Sequence, residues 1–176
     1  MNINAPITDA AWHDPVTFTI SHWVDAPVDL VWQAHTEKQR LAAWWGPKGL
    51  EWLDGTLDFK PGGHFHYGMR APHGPEMWGM FHYLDITPPR RIVFLNHFSD
   101  KAGGLTRHPF SPAWPLQVLN ELSFAEKDGG TQITLRGVPF EAAADERQTF
   151  LDGHKSMQGG FSATFVQLDA YLAVQK

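Results

Sequence analysis

His64 and His66 stand as a His-x-His pair in the stretch HFHYGMR. On a strand both rings point to one face, and two imidazoles at that spacing are able to chelate zinc. No third ligand is evident, however, and the other face of the segment takes Phe65, Tyr67 and Met69. The two histidines are therefore read as solvent-facing, with no metal and no cofactor expected. The chain has ten histidines but no cysteine, which excludes disulfides and thiolate zinc sites. It contains no nucleophile elbow, no His-Glu-x-x-His and no Walker loop, and its Pro-Gly-Gly and Asp-Gly-Gly stretches are turns. No catalytic set is legible.

Two other polar residues stand out. In the segment from Leu116, the residues Val118, Asn120, Leu122 and Phe124 share one face, so Asn120 is a polar group on an apolar wall. Such a group needs a partner: a side chain, water or a ligand. His154 lies at the edge of a helical stripe, where it is either a partly exposed histidine or a polar contact or general base in the cavity. Glu121 and Arg136 alternate away from the inner set and belong outside.

The elements that position these residues follow from periodicity. Val16 to Val24 alternates as a strand does. DAPVDLVWQAH changes to helical spacing, with Pro27 at a first helical position and Val28, Val31, Trp32 and His35 recurring. Thr36 to Gln39 reads as a capping box, which starts a second short helix at Thr36. Leu41, Trp44 and Trp45 share a face of that helix, and Gly46-Pro47 stops it. Strands are expected over Glu51 to Phe59, His64 to Arg70, Met77 to Ile86, Arg91 to Phe98, Leu116 to Glu126 and Thr131 to Val138. Ser99 to Pro115 is a long loop rich in Gly and Pro. From about Glu141 to Leu172 one helix is expected, with a stripe of Phe150, Met157, Phe161, Thr164, Phe165, Leu168, Tyr171 and Leu172. Gly153 and Gly160 fall on that stripe, either for close packing or to leave volume beside the helix.

Composition narrows the class. The chain has 176 residues, enough for one domain, with residues 1–13 as an N-terminal arm and 14–176 as the domain. A formal charge of −5 without a basic run argues against nucleic acid. No apolar run is long enough for a membrane span and no signal peptide is visible, so a soluble cytoplasmic protein is expected. Aromatic residues make up 13%, which suits either an aromatic core or a cavity lined by rings.

The blocks FTISHWVDAPVDLVWQAHTEKQRLAAWWGPKGLEW, KPGGHFHYGMR, GMFHYLDITPPRRIVF, GGTQITLRG and GGFSATFVQLDAYL resemble, in order, those of the Activator of Hsp90 ATPase homologue 1-like family within the START/Bet v 1-like (SRPBCC) superfamily. The resemblance covers roughly Thr17 to Leu172. It implies an α+β helix-grip fold: a curved antiparallel sheet around a long C-terminal helix, with two short helices after the first strand closing one end. Phe161 stands where the family usually has Trp, and the segment from Ser99 to Pro115 is longer than in the shortest members. In such a fold Trp44 and Trp45 plug the end of the sheet, at least one ring being core and the other facing the cavity, and Trp45 is counted among the ligand-binding residues. Phe65, Tyr67, Asn120, Leu122, Met157, Phe161 and Phe165 would bound that cavity, with His154 as a polar contact and Gly160 leaving space. The expectation is binding of a small, largely hydrophobic molecule, by a monomer or homodimer. The resemblance also brings two rivals: a co-chaperone contacting Hsp90, for which this chain shows no second domain like that of the eukaryotic activator, and a cyclase- or hydrolase-like enzyme.

Overall fold

The computed structural model describes residues 9–175. Strand β1 (Phe18–Val24) leads into α1 (Val28–Thr36) and α2 (Lys38–Trp44), then β2 (Glu51–Leu57), β3 (His64–Arg70), β4 (Glu76–Thr87) and β5 (Arg91–Ser99). The short β6 (Leu105–Thr106) precedes β7 (Gln117–Lys127) and β8 (Gly130–Phe140), and α3 (Ala144–Asp152) and α4 (His154–Ala173) close the chain. The sheet runs β1-β8-β7-β5-β4-β3-β2, with β6 appended to β5, and every pairing is antiparallel. This is the α+β helix-grip arrangement. Register shifts in β2 and β4 mark irregularities of the kind that bend a sheet. Among the described residues no helix is long and apolar enough to cross a membrane.

Three local expectations are corrected. Thr36 does not cap α2. Its hydroxyl donates to the Trp32 carbonyl at 2.9 Å, the acceptor one turn back, so Thr36 ends α1 and Glu37 stands at the start of α2. Pro27 is the N-cap rather than the first helical residue; its carbonyl accepts from Leu30 and Val31. The C-terminal helix is two helices, starting at Ala144 and interrupted at Gly153. A Cβ at Gly153 would lie 2.8 Å from the Trp114 ring, so a glycine lets the long loop press against the joint.

The inner face of the sheet, Phe150 of α3 and the stripe of α4 form the main core, with Phe150, Phe165, Leu168 and Leu172 buried. Met157 and Phe161 are half-buried against it. A second, smaller core lies behind the sheet. There residues Asp9–His13 form a 3-10 helix whose Trp12 packs on Val93, Leu95, Leu119 and Val138. Arg147 clamps the following segment by donating to both carboxylate oxygens of Asp14, at 2.7 and 2.9 Å. That part of the N-terminal arm is thus packed structure; residues 1–8 of the arm lie outside the described residues.

Candidate functional site: a ring-lined cavity with a carboxamide pair

Register builds the site. Tyr83, Phe94, Asn120, Gly137 and Phe18 stand side by side across five strands. Cross-strand partners point to the same face, so this row lies on the inner face together with Asn120. The flanking rows bring Phe81, Asn96 and Val118 on one side and Ile92, Leu122 and Leu135 on the other. Phe161, Thr164 and Phe165 of α4 lie above, and Leu41, Trp44 and Trp45 close the end. Between them is a cavity of about 60 Å³.

The two tryptophans divide their work. Trp44 is 2% exposed and its indole N–H donates to the Ala34 carbonyl at 2.9 Å. It fastens α2 to α1. Trp45 is half-buried and meets Phe81 and Tyr67 edge-on, with centroids 5.5 and 5.9 Å apart.

The polar atoms of the cavity form a defined set. Asn120, 6% exposed, donates through Nδ2 to the Val118 carbonyl at 2.9 Å and to Asn96 Oδ1 at 2.8 Å. Its carboxamide occupies the volume left by Gly137, where a Cβ would come within 2.9 Å of Asn120 Oδ1. His35, also 6% exposed, holds the Val31 carbonyl through Nδ1 at 2.7 Å, and burial pushes its pKa down to about 4. Burial likewise holds the Tyr83 hydroxyl in its protonated form well above the usual range. Thr164 donates to the Gly160 carbonyl at 3.0 Å.

Of the residues singled out from sequence, Trp45, Phe65, Asn120, Leu122, Phe161 and Phe165 line this cavity. Tyr67 does not. It stacks on Phe65 at 4.8 Å and borders a neighbouring depression of about 160 Å³, open to the surface, which shares Asn96 with the cavity. Burial pushes the Tyr67 hydroxyl up to about 12, partly offset by Trp45. Met157 packs against the main core without reaching the cavity lining. His154 lies outside the cavity; its Nε2 donates to the Val16 carbonyl at 3.2 Å and its ring meets Phe18 and Phe150. Gly160 is exposed, and a Cβ there would meet nothing within 4 Å. Successive helical residues are turned by about 100°, so with Phe161 facing the sheet Gly160 falls on the open flank.

Sequence reasoning missed His35, Tyr83, Asn96 and Thr164 as lining residues. The alternation Ile92, Phe94, Asn96, Phe98 carries the same signal that exposed Asn120, a polar residue on an apolar face. His35 was visible only as one member of a helical face. Away from the cavity, the His66 ring lies tilted against Trp78, centroids 5.0 Å apart, and its Nε2 lies 3.1 Å from Ser99 Oγ. Nearby, His82 Nε2 and His97 Nε2 lie 3.1 Å apart. Among the described residues no group of three or more His, Asp or Glu side chains is placed to hold a metal ion.

Comparison with known proteins agrees with this architecture. Protein Ms6760 from Mycobacterium smegmatis is 30% identical, the alignment covering 90% of this chain and 91% of that one with a TM-score of 0.72. A protein from Arthrobacter aurescens, solved by solution NMR, is 24% identical over 95% of this chain and 89% of its own, with a TM-score of 0.71. The AHSA1 protein from Silicibacter pomeroyi shares the fold at 17% identity, with 91% and 99% coverage and a TM-score of 0.69. No functionally curated protein matches the chain. A family model described as Activator of Hsp90 ATPase homolog 1-like protein matches residues 25–173. This chain belongs to that family.

Proposed function

We propose that this domain binds a small, largely apolar molecule in the cavity between sheet and C-terminal helix. The observation that carries the reading is a buried, ring-lined space holding a carboxamide pair on an otherwise apolar wall. Rings supply burial at about 25 cal/mol per Å² of apolar surface, and Asn120 supplies orientation. As it stands the space is smaller than the roughly 150 Å³ cavity that accommodates benzene in an engineered protein. Binding therefore widens it. The natural direction is toward the depression beside Tyr67, because Asn96 borders both spaces.

Two measurements test the reading. Native mass spectrometry of freshly purified protein should show a retained mass that is lost on denaturation. The neutral dye N-phenyl-1-naphthylamine should brighten on titration. An apo mass together with no dye uptake would defeat it. Such a result would favour docking on a chaperone, a reading that draws on the family description and on Phe110, 72% exposed in the loop after β6.

A further inference from the structure

The hydrogen-bond pattern inside the cavity limits what its occupant can be, on the reading that it is a ligand site. Three chemical facts fix the pattern. First, a backbone carbonyl only accepts. Asn120 must therefore turn its NH₂ toward Val118 O, which lies 2.9 Å away. The second N–H of that group then points at Asn96, which must answer with its oxygen at 2.8 Å. One carbonyl thus sets both carboxamides. Asn120 has spent both N–H groups and keeps Oδ1 as an acceptor; Asn96 keeps Nδ2 as a donor.

Second, the same logic applies to His35. Its Nδ1 faces the Val31 carbonyl at 2.7 Å, so Nδ1 carries the proton. In the neutral ring Nε2 is left with a lone pair. Thr164 has used its proton on Gly160 O and keeps only acceptor capacity. The acceptors left are Asn120 Oδ1, His35 Nε2 and Thr164 Oγ1, while Asn96 Nδ2 and the Tyr83 hydroxyl remain as donors.

Third, no Lys, Arg, Asp or Glu side chain is among the residues lining the cavity. A carboxylate or ammonium brought inside meets no counter-charge, and burying an unpaired charge is strongly unfavourable even after relaxation. A neutral molecule carrying a donor avoids that cost, and its hydrogen suits the acceptors of Asn120 and His35.

We propose that the cavity selects uncharged molecules bearing a hydroxyl or N–H donor on an apolar skeleton, reads that donor with Asn120 and His35, and rejects the carboxylate of the same skeleton. Phenol, toluene and benzoate form a matched probe set of one ring each. They are compared by saturation-transfer NMR and by titration on the full chain at neutral pH. Phenol should bind, toluene several-fold more weakly, and benzoate more weakly than phenol by about tenfold or more. In Asn120→Leu the preference for phenol over toluene should shrink while toluene affinity holds. Asn96 is half-exposed, so Asn96→Leu serves as the second variant if Asn120→Leu does not fold; freeing Asn120 from its partner should likewise blunt the preference. Benzoate binding as tightly as phenol would overturn the exclusion of charge. Equal binding of phenol and toluene in the native protein would overturn the reading of a donor. Either result, alongside uptake of N-phenyl-1-naphthylamine, would leave the cavity as a ligand site and sink only its selectivity. Failure of the dye and all three probes would remove the ligand site itself.

Discussion

The rings of Trp44 and Trp45 stand almost perpendicular, at 82°, with centroids 5.6 Å apart. Adjacent in sequence, they do different jobs. Both border the cavity, but Trp44 is buried and hydrogen-bonded to Ala34 O, whereas Trp45 is only half-buried. Trp44→Ala should therefore cost roughly 3–5 kcal/mol of stability. Trp45→Ala should cost less, about 1–3 kcal/mol, and should change dye affinity. Urea denaturation of both variants checks the ordering; equal losses would contradict the division.

Gly137→Ala should destabilise by about 1–3 kcal/mol, although Ala usually suits a strand better than Gly. The new Cβ would sit 2.9 Å from Asn120 Oδ1 and displace the carboxamide from Asn96 and Val118 O. Chemical denaturation gives the sign. A gain in stability would mean that Asn120 is not seated on Gly137.

Gly160→Ala should do the opposite. The site is open and on a helix, so the fold should gain roughly 0.5–1 kcal/mol with uptake of N-phenyl-1-naphthylamine unchanged. Thermal unfolding and dye titration report the two effects. Weakened uptake would mean that the outer flank of α4 takes part in binding.

Acidification should weaken the fold through His35. Burial lowers its pKa to about 4 in the folded protein, against 6.5 for an ordinary histidine. Between those values the unfolded chain binds more protons, so stability is complete above about pH 6.5 and falls as the pH drops toward 4. At about 1.4 kcal/mol per unit, His35 contributes a loss of about 2 kcal/mol between pH 7 and pH 5. Burial lowers His82 and His97 as well, in the same direction. Urea midpoints at the two pH values should therefore differ less in His35→Gln than in the native protein; an identical pH dependence would remove His35 from the account.

The architecture was legible because its signals are local. Alternation marked the strands, the change of period after Val24 marked the paired helices, and the apolar stripe marked the C-terminal grip. The missed features depend on residues far apart in the chain. The break at Gly153 answers to Trp114, and the partner of Asn120 is Asn96, 24 residues away and in contact only through the β5–β7 register. Gly160 was misplaced because a glycine leaves no side chain to show which way its position faces. Thr36 shows a subtler limit. Thr-x-x-Gln fits a cap, but the same hydroxyl reaches a carbonyl one turn back, and spacing alone does not choose between them.

The small core behind the sheet has a consequence for the breadth of recognition. Trp12 and its neighbours brace β5, β7 and β8 from the rear, and these are the strands that carry Asn96, Asn120 and Gly137. The cavity thus has one stiff wall, and the polar atoms are mounted on it. Widening falls to the opposite side, where Trp45, Phe161 and the surface near Tyr67 are less enclosed. On the proposed reading, a cavity built this way would be strict about where a single functional group sits and lenient about the carbon frame behind it. Its occupants should form a chemically mixed series sharing one group, and loosening Trp12 should blur that strictness from the far side of the sheet.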